Sequence, residues 1–177
     1  SWTEVSDLNT TRRELGGSGE NNTEAVVFGG DTSTGSTGQT AVTESWNGSS
    51  WTEVSDLNTA RQGPNSTGLA PYTATLAFGG ATAPGGQPSA TCETWNGSSW
   101  TEVGDLNLAR RFLAGAGEVQ TNAIAAGGNG GSPIDTVQAD AETWNGTSWT
   151  EISDMNNAKT LCSAFGTSTQ AVVCGGG

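Results

Sequence analysis

Histidine is absent from the 177 residues of this chain, which holds only three cysteines, five prolines and one methionine. Histidine is the side chain that most often serves as a general base and as a metal ligand, so its absence argues against an enzyme. The cysteines are odd in number and have no zinc-ligand spacing. We therefore expect no catalytic residues, no cofactor and no metal site, and we interpret the cysteines as small buried apolar residues: Cys92, Cys162 and Cys174.

Positive charge is also scarce, because six lysines and arginines stand against 18 acidic residues and give a net charge of −12. A protein that binds the phosphate backbone needs a basic face to displace counterions, so we expect no nucleic acid partner. Long apolar runs are missing, and we expect no membrane insertion. What remains is rich in Ser, Thr and Gly, a composition typical of short strands and turns.

The tryptophans reveal an internal repeat of 49 residues. Four of them stand at one position of the repeat and three at another, so all seven belong to it. We interpret them as structural, packed in the core of thin layers. A sugar-stacking surface is the alternative, since carbohydrate-binding proteins use exposed tryptophan. The two sets are Trp2, Trp51, Trp100 and Trp149, and Trp46, Trp95 and Trp144.

Each Trp-Asn-Gly-(Ser/Thr)-Ser-Trp stretch predicts a β-hairpin. Asn-Gly is the pair that most readily takes the two positive-φ positions of a tight turn, and here it lies between short runs rich in Trp, Thr and Val. The two flanking indoles then lie on neighbouring antiparallel strands and pack on one another.

The repeat predicts four antiparallel strands per unit, A to D, which is typical of a propeller blade. The domain is a single region, 1–177, with strand D at 1–5, repeats at 6–54, 55–103 and 104–152, and a partial repeat at 153–177. A linear β-solenoid is the less favoured alternative. The predicted strands are A at 15–20, 66–70, 112–118 and 161–165, B at 24–28, 74–78, 122–126 and 170–174, C at 40–46, 90–95 and 140–144, and D at 50–54, 99–103 and 148–152.

Several features together resemble kelch repeats of the galactose-oxidase-like propellers. They are the Gly-Gly that ends strand B, the aromatic residue on C, the Trp that opens D, and the Leu-Asn-x-Ala-Arg run at 57–61 and 106–110. The resemblance covers the whole chain and implies an all-β, antiparallel kelch-type propeller. The copper chemistry of galactose oxidase does not carry over, because its ligands include histidines and tyrosines and this chain has only Tyr72.

The repeated Trp-Asn-Gly-(Ser/Thr)-Ser-Trp stretch resembles that of a group of repeat proteins that are encoded by phages and associated with the virion or tail. This resemblance implies a non-enzymatic binding or structural module, located in the virion or outside the cell. Its partners would be a host receptor, which is a protein or a cell-surface glycan, and other virion proteins, contacted through the loops between strands B and C. The alternative is a glycan-binding, lectin-like propeller.

Eleven acidic residues recur at fixed repeat positions, and we expect them to form a solvated acidic rim that keeps the sheet edges from associating. They are Glu4, Glu53, Glu102 and Glu151, Asp7, Asp56, Asp105 and Asp154, and Glu44, Glu93 and Glu142.

The cations also follow the repeat, and Arg13 and Arg111 each stand directly after one of the four that recur every 49 residues. In a closed propeller the start of strand A lies near the central channel. We therefore predict that the four converge at a channel mouth and bind an acidic peptide, a carboxylate or a phosphate. The favoured alternative is structural: each cation pairs with a repeat acid such as Asp56 or Glu53 and fixes the turn between strands D and A. The four are Arg12, Arg61, Arg110 and Lys159.

The order of strands leaves the last repeat without its strand C. Such an arrangement would expose the edge of strand B at 170–174, which is an aggregation hazard. We therefore expect the 177 residues to be part of a longer repeat protein.

Overall fold

The structure, a computed structural model, describes residues 2–33, 38–130 and 135–177. These residues form short antiparallel strands and no helix. In the first sheet the strands lie side by side in chain order. Those strands are β1 (Gly16–Asn21), β2 (Glu24–Phe28), β3 (Thr43–Trp46) and β4 (Trp51–Glu53).

The second unit repeats this arrangement and adds a small hairpin in the connection between its second and third strands. The second sheet has the order β5, β6, β9, β10, and β7 pairs with β8. The strands are β5 (Asn65–Ser66), β6 (Leu76–Phe78), β7 (Ala81–Thr82), β8 (Gln87–Pro88), β9 (Cys92–Trp95) and β10 (Trp100–Val103).

The third unit forms a third four-stranded sheet, β12, β13, β16, β17, beside a small sheet of β11, β14 and β15. A fourth sheet has two strands among the described residues. The strands are β11 (Arg110–Arg111), β12 (Ala114–Val119), β13 (Asn122–Ala126), β14 (Asn129–Gly130), β15 (Thr136–Val137), β16 (Ala141–Trp144), β17 (Trp149–Ile152), β18 (Cys162–Gly166) and β19 (Ala171–Gly175).

The sequence therefore predicted the all-β class and the order of the strands, and the bounds of β2 and β13 agree residue by residue. Two predicted strands are wrong. Residues 2–5 form no strand, and Trp2 is fully exposed, because no described strand lies beside them to pair with; Ser1 lies outside the described residues. Strand A of the second unit covers only Asn65–Ser66 of the region around 66–70.

A tight turn ends this short strand. Gly68 takes a φ of +60°, and the backbone N–H of Leu69 donates to the carbonyl of Thr67 at 2.5 Å. A residue in the left-handed region cannot continue an extended strand, so the chain leaves the sheet at this point.

The tryptophan hairpins form as predicted, but their turns differ. Trp46 lies opposite Trp51 in the register, and their ring centroids are 5.2 Å apart. Only the glycine has a positive φ, +90° at Gly48. The side chain of Asn47 shapes the turn instead, since its Oδ1 accepts the backbone N–H groups of Ser49 and Ser50, each at 3.0 Å. Such side-chain to backbone bonding is the other way in which asparagine stabilises turns.

The sheets stack face to face, and aromatic rings join them. Phe28 of the first sheet meets Trp100 of the second edge to face, with ring centroids 4.8 Å apart. Phe78 of the second sheet meets Trp149 of the third in the same way, at 5.1 Å. Edge-to-face contacts of this kind stabilise a core beyond the area they bury. Each interface has its own apolar cluster, and the core is divided into layers.

The Gly-Gly pairs let the segment before each sheet approach the preceding sheet closely. Gly29 has a φ of +64°, and a Cβ at this position would lie 2.7 Å from the carbonyl oxygen of Arg61. The next residue, Gly30, donates its N–H to that same oxygen at 2.9 Å. Gly79 and Gly80 meet Arg110 in the same manner. Glycine is required here because a side chain would collide with the neighbouring backbone.

Candidate functional site

The repeated arginines lie inside the protein. Each guanidinium group contacts a glutamate on the third strand of the sheet that follows it in the chain. All six side chains are at most 1% exposed. The pairs are Arg12 with Glu44, at 2.8 Å, Arg61 with Glu93, and Arg110 with Glu142, at 2.6 Å.

A repeated asparagine completes this arrangement. Asn58 donates its backbone N–H and its side-chain Nδ2 to Glu93 Oε2, at 2.7 and 2.9 Å. Its Nδ2 also donates to the carbonyl of Trp100 at 3.2 Å. We call this unit of asparagine, arginine and glutamate the clasp. The equivalent clasps are Asn9, Arg12 and Glu44, and Asn107, Arg110 and Glu142.

Burial lowers the pKa of Arg61, because desolvation disfavours the charged guanidinium, while the negative charge of Glu93 opposes the shift. Arg110 shows the same direction and the same first cause. Arg61 Nη1 also donates to the carbonyl of Thr91, at 2.5 Å. A buried ion pair of this kind is tolerated when it is fully hydrogen-bonded, and removing one partner typically costs about 3–5 kcal/mol.

These positions correct the prediction of a channel-mouth anion site. The guanidinium groups of Arg12, Arg61 and Arg110 are buried and paired, so they are not open to a ligand from solvent. The structure has the ion pair that was the alternative, although the acids differ from the expected Asp56 and Glu53. Lys159 is partly exposed, and its Nζ donates to the carbonyl of Gly175 at 3.2 Å.

The predicted acidic rim is correct for eight of the eleven repeated acids, which are exposed. It is wrong for Glu44, Glu93 and Glu142, which are at most 1% exposed. The clasp explains this difference, because its three or four hydrogen bonds to each carboxylate replace the water lost on burial. Arginine and glutamate stand 32 residues apart in all three clasps, but every pair of repeat positions keeps a constant separation, so the sequence did not single out this pair.

Arg13 and Arg111, which directly follow Arg12 and Arg110 in the chain, each form an ion pair with a loop at one edge of the sheets. Arg13 Nη2 lies 3.0 Å from Asp31 Oδ2, and Arg111 Nη2 lies 2.5 Å from Asp135 Oδ1. The backbone N–H of Ser33, followed by the Arg13 guanidinium, holds the pKa of Asp31 below its ordinary value. Asp31 therefore stays ionised and keeps its loop attached.

This edge, which we call the loop edge, carries the connections between the second and third strands. They differ among the units: the second contains the β7–β8 hairpin, and the third pairs β14 with β11 and β15. Residues 34–37 and 131–134 of the predicted loops lie outside the described residues.

At the opposite edge the Asn-Gly turns are nearly identical, and Trp46 Nε1 donates to the carbonyl of Asn22 there at 3.0 Å. The connection between the first and second strands lies at the same edge; it spans 22–23 and 120–121 in the first and third units but 67–75 in the second. The constant elements of this edge are therefore the Asn-Gly turns.

The first strands of the four sheets lie along a shared groove. β1 contacts β5, β5 contacts β12, and β12 contacts β18. One cavity of about 290 Å³ in this groove is lined largely by glycine, alanine and threonine, together with two exposed apolar side chains, Leu69 and Phe165. The small residues of these strands allow the four backbones to come together.

A left-handed residue stands before each first strand, at one end of the groove. Phe112 has a φ of +55° and Leu161 a φ of +54°, values that are unusual for bulky side chains. Glu14 and Gly63 occupy the same repeat position with φ values of +54° and +58°. Only one of the four is glycine, so the neighbouring contacts must stabilise this conformation in the other three.

Five of the seven tryptophans are buried, with at most 7% of their surface exposed. Their structural role is as predicted, and their rings are not open to a sugar. Trp51 is partly exposed, and Trp2 is fully exposed, so the predicted packing in the core is wrong for Trp2. The buried ones are Trp46, Trp95, Trp100, Trp144 and Trp149.

The cysteines do not act together. Cys92 and Cys162 are buried as expected, whereas Cys174 is exposed, which corrects that prediction. Burial raises the pKa of the Cys92 thiol to about 12, so it stays neutral and apolar. Within residues 2–33, 38–130 and 135–177, no three acidic or cysteine side chains group closely enough to hold a metal ion.

The described chain has no helix long and apolar enough to cross a membrane. The sequence matches no protein-family model, and none of the curated proteins resembles it.

Proposed function

We propose that this protein is a kelch-type β-propeller that serves as a non-enzymatic binding or structural module. In this proposal it belongs to a phage virion or tail, and it contacts a host receptor or other virion proteins through its loop edge. The propeller form is supported by the four-stranded sheets in chain order, by the tryptophan contacts between successive sheets, and by the first strands that share one groove.

The contrast between the two edges carries the functional part of the proposal. At one edge the Asn-Gly turns repeat with the same hydrogen bonds, and the tryptophans that flank them are buried except for the partly exposed Trp51. At the loop edge the connections, 29–42, 79–91 and 127–140, are close in length but differ in sequence and in the small strands they contain. A rigid repeated scaffold with variable loops on one side is the usual arrangement of binding proteins.

A glycan-binding lectin has less support. Stacking on a sugar needs an exposed ring, and the repeated tryptophans that would form equivalent sugar sites in the second and third sheets are buried. A glycan remains a candidate ligand of the loop edge.

The test measures binding of the purified, fluorescently labelled chain to intact bacteria and to an array of bacterial surface glycans. In a loop variant, residues 83–86 are replaced by Asn-Gly, which closes the β7–β8 hairpin with a two-residue turn. The control variant carries Ser98→Ala at the opposite edge. We expect the loop variant to bind at least about tenfold more weakly, equivalent to about 1.4 kcal/mol, and the control to bind normally. Equal binding by all three proteins, or no binding to any surface, would contradict the proposal.

A further inference from the structure

The three Asn-Gly turns share one arrangement of the asparagine side chain. Asn96 Oδ1 accepts the backbone N–H groups of Ser98 and Ser99, at 3.0 and 2.9 Å, and the hydroxyl of Ser98 at 2.9 Å. Asn47 and Asn145 accept the equivalent backbone N–H groups at 2.9 or 3.0 Å. All three asparagines are exposed. Each side-chain carbonyl is therefore held against several donors while the residue itself stays open to solvent.

The glycine of each turn carries a backbone nitrogen that is free to react. Its N–H has no hydrogen-bond partner among the residues that the structure describes. Its φ is +90°, +92° or +91°, a conformation that glycine adopts without strain. Because glycine has no side chain, the nitrogen is not shielded from the amide of the residue before it. The glycines are Gly48, Gly97 and Gly146, and all three are exposed.

We propose that these turns are sites of spontaneous deamidation, a reaction whose only co-reactant is water. The glycine nitrogen loses its proton to solvent and attacks Cγ of the preceding asparagine, so that a succinimide ring closes. The Cγ–Nδ2 bond breaks, and the amide group takes up a proton from solvent and leaves as ammonia. Water then adds to either ring carbonyl and opens the ring to aspartate or isoaspartate. The proposal goes beyond the proposed function and is independent of it, since these turns lie opposite the loop edge.

The hydrogen bonds of the turn favour this reaction. When the glycine nitrogen adds to Cγ, the oxygen Oδ1 becomes negatively charged in the tetrahedral intermediate. Donors that already point at this oxygen stabilise the charge without having to reorganise. At Asn96 these donors are the backbone N–H groups of Ser98 and Ser99 and the hydroxyl of Ser98. The turn thus supplies an oxyanion hole together with an unhindered nucleophile.

Two other asparagines each have one of these features without the other. Asn21 Oδ1 accepts the backbone N–H and the hydroxyl of Thr23, at 2.8 and 2.6 Å, but the next residue is Asn22, whose side chain hinders attack by its nitrogen. Asn129 is followed by Gly130, but its Oδ1 is buried and has no donor among the described residues. Gly130 is also held in β14, between β11 and β15. We therefore expect both asparagines to react slowly in the folded protein.

The two products differ in their effect on the hairpin. Aspartate keeps the acceptor oxygen, so the hydrogen bonds of the turn are preserved, and each conversion adds one negative charge. Conversion of all three turns would change the net charge from −12 to −15, since −12 − 3 = −15. In isoaspartate the main chain runs through the former side chain, which adds a carbon atom to the loop between the paired tryptophans and opposes their contact.

Incubation of the folded 177-residue chain at mildly alkaline pH, followed by peptic digestion in acid and mass spectrometry, measures the rate at each asparagine. The turn asparagines are expected to react at least about tenfold faster than Asn21 and Asn129, because an aligned donor contributes at least this factor to the stabilisation of an oxyanion. In the urea-unfolded chain Asn129 should reach the rate of the turn asparagines, because all four then share only the Asn-Gly sequence.

Ser98→Ala removes the hydroxyl donor at Asn96 alone, and Ser49→Ala is the matched variant for Asn47. Each should slow its own turn about two- to tenfold, the factor that one hydrogen bond typically contributes, and leave the other turn unchanged. Circular dichroism establishes that both variants are folded. Equal rates at Asn129 and at the turns of the folded protein would overturn the proposal, as would turns that stay intact while the unfolded chain reacts. Unchanged rates in both serine variants would overturn the role of the turn donors.

Discussion

Trp100 and Trp51 occupy the same position of the repeat, and each follows an Asn-Gly turn and lies opposite the equivalent tryptophan of the neighbouring strand, yet only Trp100 is buried. Trp100 is 6% exposed and contacts Phe28 of the preceding sheet, whereas Trp51 is partly exposed and borders an open cleft. The difference shows that the sheet to which each tryptophan belongs covers only part of the tryptophan ring. The neighbouring sheet completes the burial, so stability in this protein belongs to interfaces between sheets.

We expect the largest loss of stability when a clasp is broken. Glu93→Ala removes the buried partner of Arg61 and the acceptor of Asn58, and we expect a loss of at least about 5 kcal/mol in unfolding free energy. Lys159→Ala changes the equivalent cation of the fourth unit, which is partly exposed, and we expect a change within about 0.5 kcal/mol. Urea denaturation of both variants makes this comparison. Similar small losses in the two would mean that the clasp is not structural.

We expect the next largest loss of stability when a tryptophan is replaced. Trp100→Ala should lose about 3–5 kcal/mol, the usual cost of removing a large buried aromatic side chain. Trp51→Ala should lose only about 1–2 kcal/mol, because Trp51 is partly exposed already. Both values come from denaturant unfolding followed by circular dichroism, since tryptophan fluorescence itself changes. Equal losses at the two sites would show that the neighbouring sheet contributes nothing.

The interface between the first and second sheets has a hydrogen bond that the interface between the second and third sheets lacks, and this difference predicts a smaller change in stability. Trp100 Nε1 donates to Thr43 Oγ1 at 3.1 Å in the first interface, but Trp149 Nε1 faces Cys92 in the second and has no oxygen acceptor. Cys92→Thr supplies the missing hydroxyl and should stabilise the protein by about 1 kcal/mol. Thermal unfolding measures the gain. A destabilised variant would indicate that the second interface cannot accept the first one's geometry.

The same thiol makes stability depend on pH. The pKa of Cys92 is raised from 9.0 to about 12 by burial, so the unfolded chain loses this proton at a lower pH than the folded protein. The contribution is complete below pH 9 and is lost between about pH 9 and 12, with about 1 kcal/mol lost by pH 10. Cys92→Thr lacks this contribution. Unfolding of both proteins at pH 8 and pH 10 isolates it, and parallel losses would contradict the assignment.

The sequence predicted those elements that depend on neighbouring residues in the chain. The Gly-Gly stops, the tryptophan hairpins and the bounds of β2 and β13 are local features, and the repeat displays each of them several times. Glu93 could not be distinguished from Glu102, its opposite residue in the register, because both recur every 49 residues. One is buried and the other exposed only because Arg61 and Asn58, from the segment before the sheet, fold over one of them. That contact is tertiary.

The conformation of residues 2–5 also depends on tertiary contacts. They share the Trp-Thr-Glu-Val sequence found at 51–54 and 100–103, where strands β4 and β10 form, and local propensity alone predicts a strand. Trp2 is nevertheless exposed, because a strand also needs a partner to accept its backbone hydrogen bonds. Identical local sequence therefore gives different structure wherever the neighbour differs.

A double-mutant cycle between Phe28 and Trp100 tests the central claim most directly, because the two rings belong to different sheets. Phe28→Leu, Trp100→Leu and the double variant are compared by denaturant unfolding, and Phe78 with Trp100 serves as the control pair, since Phe78 faces the third sheet. We expect a coupling energy of about 1 kcal/mol between Phe28 and Trp100 and additivity for the control pair. Additive losses for Phe28 and Trp100, or coupling only in the control pair, would contradict the stacking of the first sheet on the second.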